Sequence, residues 1–390
     1  MKKEIFKDNL YIDKSLADIT GFNPYFRPIQ SGLGRYIQID GKQLLCLGSN
    51  DYLGLANNDE IREEMIKALK KYGISMCGTP IVIGQADINK RLECEIAKLL
   101  KQEDALLFPL CYQCNVGIFS CLAGPEDLIL ADKEIHSSLL NGIALSKTPA
   151  RFFPHNNLKV LERLLEKSEK YRMRFIVLEG LYSTNGNVPR LDEISKIAAK
   201  HEAFIIIDDA HGVGVLGEEG RGVLEIFNAY QSVDLVTGSL GKGIGTFGGF
   251  LAGKAKVVDF IRHSSPMHFY STALPPAISA ATLASLRYIK EHPEIRSKIN
   301  NMARKLQDGL RALGYTTTDS STPLVSVIFN SPDETISFTK MLNEKGIYVT
   351  PFIPPSVPKR TSRIRMTVTA YLDTKDIDFV LNVFDEIRKI

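Results

Sequence analysis

AFIIIDDAHGVGVLG at residues 203–217, followed by GSLGKGIG at 238–245, decides the fold. The five apolar residues are strand-sized, and they stop on two carboxylates, Asp208 and Asp209, and a glycine-rich loop. Ligands in α/β sheets bind beyond the carboxyl ends of the strands, so chemistry is expected where such a run ends. Further apolar runs stand on either side: ALLF at 105, LILA at 128, FIVL at 175, DLVT at 234 and GFLA at 249, with helical stretches between. That alternation predicts an α/β fold whose mostly parallel sheet is covered on both faces. Upstream, Ile61, Met65, Ala68, Leu69 and Tyr72 recur at helical spacing before Gly73, and Ile88, Leu92, Ile96, Leu99 and Leu100 repeat the period. After about residue 275 the texture changes. A long helix carrying Ile299, Met302, Ala303, Leu306, Leu310 and Leu313 ends at Gly314. LVSVIF at 324 and RIRMTVT at 363 follow, separated by a helix and the proline-rich PFIPPSVP, as in a smaller α+β domain. The expected division is an N-terminal segment 1–48, a large domain 49–275 and a small C-terminal domain 276–390.

At about 150 residues per domain, 390 residues predict two domains. Hydrophobic residues at 44% and charged residues at 24% are globular values, which excludes a disordered chain, a collagen and a disulfide miniprotein. The 48 Lys+Arg and 45 Asp+Glu are scattered without a basic block, so no nucleic-acid partner is expected. MKKEIFKDNLYIDKSLADI at the start lacks the apolar core of a signal peptide and the Arg/Ser character of a transit peptide. No apolar run approaches the about 20 residues of a spanning helix. A cytoplasmic protein with no integral membrane segment is expected. Six cysteines are too sparse for a disulfide framework, and the Cys111–Cys114 pair has no second pair or spaced histidines to complete a zinc site, so no metal is expected.

HGVGVLG at 211–217 contains GxGxxG, but EEGRG follows it instead of a helix whose N-terminus could hold a pyrophosphate. A Walker A loop fails because Val236 stands where its first glycine belongs. Asp208, His211 and Lys242 make better sense as one site at the ends of neighbouring strands. Lys242 lies among small residues, and a packed loop would desolvate its amine and lower its pKa, as a Schiff-base former requires. Read alone, it is equally a surface lysine in a turn. A pyridinium cofactor is an electron sink only while its ring nitrogen is protonated, which calls for a carboxylate, and Asp208 is the candidate. His211 can stack or hydrogen-bond near the same ring. A metal site or a helix cap is the alternative for DDAH. In RIRMTVT, Ile364, Met366 and Val368 share one face and Arg363 and Arg365 the other. One of these arginines, facing the site, would grip an amino-acid carboxylate with two hydrogen bonds, unless both are solvated on a sheet edge.

SNDYLGL at 49, DKEIHSSLL at 132, EGLYSTNG at 179, DDAHGVGVLG, GSLGKGIGTFGGF, YSTALPP at 270 and GIYVTPFIPPSVP at 346 together resemble the α-oxoamine synthases. This pyridoxal-phosphate family includes 8-amino-7-oxononanoate synthase, 2-amino-3-ketobutyrate CoA ligase and serine palmitoyltransferase. The resemblance implies a fold-type I transferase, a homodimer with a shared active site, and condensation of a small amino acid (Gly, Ala or Ser) with an acyl-CoA, or an acyl-carrier thioester, with loss of CO2. It implies Lys242 as the Schiff-base lysine, Asp208 as partner of the pyridine nitrogen, His136 stacked on the ring, and Ser183 and His211 at the ring hydroxyl. The phosphate would fall to the Cys111 and Tyr112 backbone N–H groups, Ser239, and Thr272 of a second subunit. Asn50 and Glu179 match positions beside the reacting carbons, with a buried polar pair as the plain alternative. Arg365 is favoured over Arg363 for the substrate carboxylate. SMCGTP at 75–80 departs from the family's GSGGSR, placing Pro80 where relatives carry an arginine, while NPYFRPIQSG at 23–32 looks like the bacterial serine palmitoyltransferase branch. The rivals are an aminotransferase or lyase of the same fold, which needs no acyl donor, and a non-catalytic subunit, which Lys242 argues against.

Overall fold

All six apolar runs become strands of one sheet. A computed structural model describes residues 20–358 and 360–389, so the reading of the first 19 residues lies outside the described part. The chain forms two compact units. The smaller takes the chain up to Ser49, Thr184–Gly186 and the chain from Lys298 on, and the larger holds Asn50–Ser183 and Asn187–Ser297.

In the smaller unit, β1 (Tyr36–Ile39) and β2 (Lys42–Cys46) form an antiparallel hairpin. It turns at Asp40 and Gly41, both at positive φ (52° and 74°), as a two-residue turn matched to strand twist requires. The larger unit holds β3 (Asp104–Phe108), β4 (Leu128–Asp132), β5 (Ala150–Phe153), β6 (Arg174–Glu179), β7 (Phe204–Asp208), β8 (Leu235–Ser239) and β9 (Gly249–Gly253). They make one seven-stranded sheet in the order β3-β9-β8-β7-β6-β4-β5. Strands β4 to β8 are parallel, and β9 alone runs against its neighbours β3 and β8. The fold is therefore the expected fold-type I arrangement of a large, mostly parallel sheet domain with a smaller α+β domain. Ile205, Ile206 and Ile207 of β7 are fully buried, each worth about 1.5–3 kcal/mol of burial. Edge strand β5 escapes the sequence reading because Arg151 and Phe152 are exposed.

The chain then returns to the smaller unit within the helix Glu294–Ala312, from Lys298 on, and continues into β10 (Leu324–Phe329), β11 (Ile347–Tyr348), β12 (Thr350–Phe352) and β13 (Ser362–Thr367). β13 is the central strand between β10 and β12, and β11 joins the hairpin parallel to β2. No helix among the described residues is long and apolar enough to cross a membrane, and no group of three or more metal-ligating side chains occurs among them. The six cysteines carry no disulfide.

Candidate active site

Two parallel strands end side by side on carboxylates, Glu179 of β6 opposite Asp208 of β7, and Asp208 also stands opposite Thr237 in the middle of β8. Successive side chains of a strand point to opposite faces, so Asp208 and Asp209 part company here. One oxygen of Asp208 accepts from the Ala210 N–H (3.1 Å), and the other from Asn115 Nδ2 (2.7 Å). Cys111 Sγ lies 4.0 Å from the first oxygen. Asp209 is fully buried instead, and its Oδ2 accepts from the Val223 N–H at 2.7 Å. A Cβ at Gly180, Gly212 or Gly222 would come within 2.2, 2.0 or 1.9 Å of that carboxylate. Gly212, the first glycine of the false dinucleotide motif, thus makes room for Asp209 together with Gly180 and Gly222 from outside the motif, and burial pushes the Asp209 carboxyl well above the usual range.

Asn115 is the functional residue that sequence reasoning missed. It lies within PLCYQCN, the polar stretch after ALLF, but a single asparagine one turn into a helix carries no local signal. Folding buries it completely against Asp208, Ser138 and Thr237. The helix Cys111–Leu122 starts with no side-chain cap, which leaves its first N–H groups for another acceptor. Gly249 of β9 passes close by, since a Cβ there would sit 2.3 Å from the Cys111 nitrogen.

His136 is the N-cap of the helix Ser137–Ser146, accepting from the Ser138 N–H, and Tyr112 meets its ring edge-on at 6.4 Å. His136 is exposed as a residue, yet the surrounding protein strips enough water from its ring to hold its pKa below the ordinary value. Asp208 opposes this shift and Lys242 adds to it. His211 is buried, its Nδ1 2.7 Å from the hydroxyl of the equally buried Tyr52. Lys242 is half-buried in the turn after β8, and its charge is felt at Cys111, His136 and Glu179. Its flanking glycines explain the SLGKGIG pattern: a Cβ on Gly243 would meet the Val213 carbonyl at 2.7 Å, and Gly245, at φ +74°, presses on Leu55.

Glu179 is 3% exposed, and its Oε2 accepts from the Ser183 N–H at 3.0 Å, while its Oε1 is buried with no hydrogen-bond partner. Burial, then the negative charge of Asp208, pushes its carboxyl well above the usual range. Asn50, partly buried, accepts from the Tyr52 N–H through its carbonyl, and Ser239 Oγ accepts from the Gly241 N–H. Thr272 is exposed. Its neighbours are anchored: Ser271 accepts from Gln113, and the Ala273 N–H donates to the Gly78 carbonyl. Pro80 opens a π-helical turn over Pro80–Gly84 that exposes Ile81, Val82 and Ile83 where a cation was the family expectation.

Arg363 and Arg365 belong to the smaller unit. They are not solvated edge residues, being 5% and 6% exposed on the central strand β13. Arg363 is tied down by Asn185 Oδ1 and by the Thr184 and Thr361 carbonyls, whereas the Arg365 guanidinium lies 4.7 Å from the Phe352 ring centre.

The sequence profile of the aminotransferase class I and II family matches residues 42–384. An 8-amino-7-oxononanoate synthase of Thermoanaerobacter pseudethanolicus is 34% identical over 93% of this chain and 92% of its own length. A serine palmitoyltransferase of Bacteriovorax stolpii is 33% identical over 94% and 87%. The solved serine palmitoyltransferase of S. paucimobilis with a bound PLP–myriocin adduct superposes with a TM-score of 0.93 at 26% identity, over 96% of this chain and 95% of that one. With the family profile, the whole-length relatives and the superposed structure in agreement, the chain belongs to the aminotransferase class I and II family and, within it, to the α-oxoamine synthases.

Proposed function

We propose that the protein condenses a small amino acid with an acyl-CoA thioester, releasing CO2 and CoA and leaving an α-amino ketone, with pyridoxal 5′-phosphate as cofactor. The observation that carries this reading is the cross-strand row Glu179, Asp208 and Thr237, with the Lys242 charge acting on Glu179 and on the nearby Cys111 and His136. The residues present fit the cofactor. An uncapped helix start suits a phosphate, a carboxylate with both oxygens already accepting suits a ring N–H, and Glu179 holds a buried oxygen without a partner.

When bound, the cofactor supplies an electron sink for the charge left at the amino acid's α-carbon. Asp208, steadied by Asn115, keeps a proton on the ring nitrogen, and His136 offers its ring face. Ser183 and His211 hold the ring hydroxyl, with Tyr52 fixing the His211 ring. The Cys111 and Tyr112 N–H groups, Ser239, and Thr272 of a neighbouring subunit take the phosphate. Lys242 would hold the cofactor's carbonyl carbon until the amine of the amino acid displaces it, and the freed lysine amine would then be the base placed to take the α-proton. Asn50 and Glu179 flank the reacting carbons, and Glu179, with its raised pKa and its Oε2 engaged by the Ser183 N–H, is suited to hold a proton at Oε1. Arg365 is assigned the substrate carboxylate in preference to Arg363, whose guanidinium is already committed to backbone carbonyls and Asn185. A homodimer is part of the proposal, supported by the exposure of Thr272 and of Ile81, Val82 and Ile83. The cytoplasm is the proposed compartment, in keeping with six cysteines that form no disulfide.

Gly, Ala and Ser tested against short, medium and long acyl-CoAs, read by free thiol, decide the matter. Amino-acid-dependent CoA release is expected with one pair. Spectral turnover of the cofactor with amino acid but no thiol release from any acyl-CoA would favour an aminotransferase or lyase.

A further inference from the structure

Asn115 has no place in the reaction steps themselves, yet it is fully buried and its polar atoms reach three separate elements. Its Nδ2 donates to Asp208 Oδ2 on β7 at 2.7 Å and to Ser138 Oγ on the helix Ser137–Ser146 at 2.9 Å. Its Oδ1 accepts from Thr237 Oγ1 on β8 at 2.9 Å. Ser138 Oγ lies in turn 2.7 Å from His136 Nδ1.

The direction of each hydrogen bond follows from the inventory of donors. Turned over, the amide would set its oxygen against Asp208 Oδ2 at 2.7 Å, acceptor against acceptor, so Nδ2 must face the carboxylate. Ser138 Oγ then receives a hydrogen from Asn115 and keeps its single proton for His136 Nδ1. The Ser138 N–H is directed at the same ring nitrogen, at 3.3 Å. A ring nitrogen that accepts twice carries no proton, so the wiring selects the neutral His136 tautomer with hydrogen on Nε2. The charged groups acting on this ring are Asp208 and Lys242, and they pull in opposite directions.

We propose that Asn115 is a positioning residue: it holds Asp208 as an accepting carboxylate and, through Ser138, sets the tautomer of His136, so that two of the protein partners of the cofactor ring are aligned by one amide. The cofactor's place in this statement rests on the function proposed above, but the wiring belongs to the protein alone and is present without the cofactor.

Nitrogen-15 NMR of histidine-labelled apoenzyme reads the tautomer directly. Wild type is expected to show His136 protonated on Nε2 and bare on Nδ1. Asn115→Leu frees the Ser138 hydroxyl to turn and accept, and Ser138→Ala removes it, so both should mix the tautomers and raise the His136 titration midpoint by about one pH unit, a tenfold gain in proton affinity. In the holoenzyme, Asn115→Leu should lose about tenfold or more in cofactor affinity, the scale of one hydrogen bond to a charged group, and Ser138→Ala clearly less, because only Asn115 touches Asp208. A purely structural role would leave the tautomer unmoved in the folded variants. If neither variant changes the His136 tautomer or midpoint, or if both lose cofactor affinity equally, the proposal is overturned. Should Asn115→Leu not fold, Ser138→Ala decides alone, and an unchanged His136 in it refutes the wiring. A protein that shows the expected tautomers but binds no pyridoxal phosphate would instead refute the proposed function.

Discussion

Asp208→Asn preserves the shape of the side chain and exchanges one acceptor for a donor. In the wild type one oxygen takes the Ala210 N–H and the other takes Asn115 Nδ2, so an amide must point its NH2 at one of these donors whichever way it turns. A hydrogen bond to a charged acceptor is worth about 1.5–3 kcal/mol, or roughly 10- to 150-fold in an equilibrium constant. Removing the charge also relieves Glu179, whose carboxyl is pushed up by burial and by Asp208, and this offsets part of the loss. The lower end is therefore expected for the apoenzyme, about 1.5 kcal/mol in urea unfolding. Cofactor affinity and turnover should fall further, since a neutral amide cannot keep a proton on the ring nitrogen. Asp209→Asn is the register control. Asp209 serves the Val223 N–H inside a cage of glycines, so its substitution should lower stability and leave the folded remainder able to bind the cofactor. Urea denaturation, titration of the cofactor's visible absorbance and thiol release measure the three effects. The reasoning is refuted if Asp208→Asn unfolds and binds cofactor like the wild type, or if Asp209→Asn alone destroys cofactor binding.

Lys242→Ala should abolish both turnover and borohydride trapping of the cofactor, and a trapped adduct on that variant would place the Schiff base elsewhere. Glu179 has a folded pKa above its unfolded value near 4.5, so it binds more protons folded than unfolded. Its contribution is full below that unfolded value and drains away as pH rises through the folded one. Glu179→Gln should therefore make the apoenzyme more stable than wild type on the alkaline side and flatten the decline, and identical stability–pH curves would count against the raised pKa. Arg365→Lys should weaken amino-acid binding by about 1.5–3 kcal/mol, because a point charge replaces a planar fork, while cofactor affinity stays the same. Arg363→Lys should instead loosen the Thr184–Gly186 segment and show as lost stability, so a purely substrate-binding defect in Arg363→Lys would reverse the assignment.

Apolar runs such as AFIII declare themselves as strands because burial on both faces demands an unbroken hydrophobic stretch, a local property of the sequence. By the same logic ARFF at 150 stayed hidden, since an edge strand with exposed residues needs no such stretch. The β1–β2 hairpin stayed hidden too, its turn being the unremarked pair Asp40 and Gly41. The motifs around Lys242 and Asp208 were legible because glycines and carboxylates at strand ends are unusual enough to stand out. What the sequence by itself determined is thus the order of strands and helices and the polar residues closing each strand. Only the tertiary structure could separate Asp208 from Asp209, bury both β13 arginines, or bring Asn115 to Ser138, Asp208 and Thr237, which are 23, 93 and 122 residues away along the chain. Hydrogen-bond partners are chosen by distance in space, and a side chain's neighbours across a sheet leave no trace in the spacing of residues along a strand.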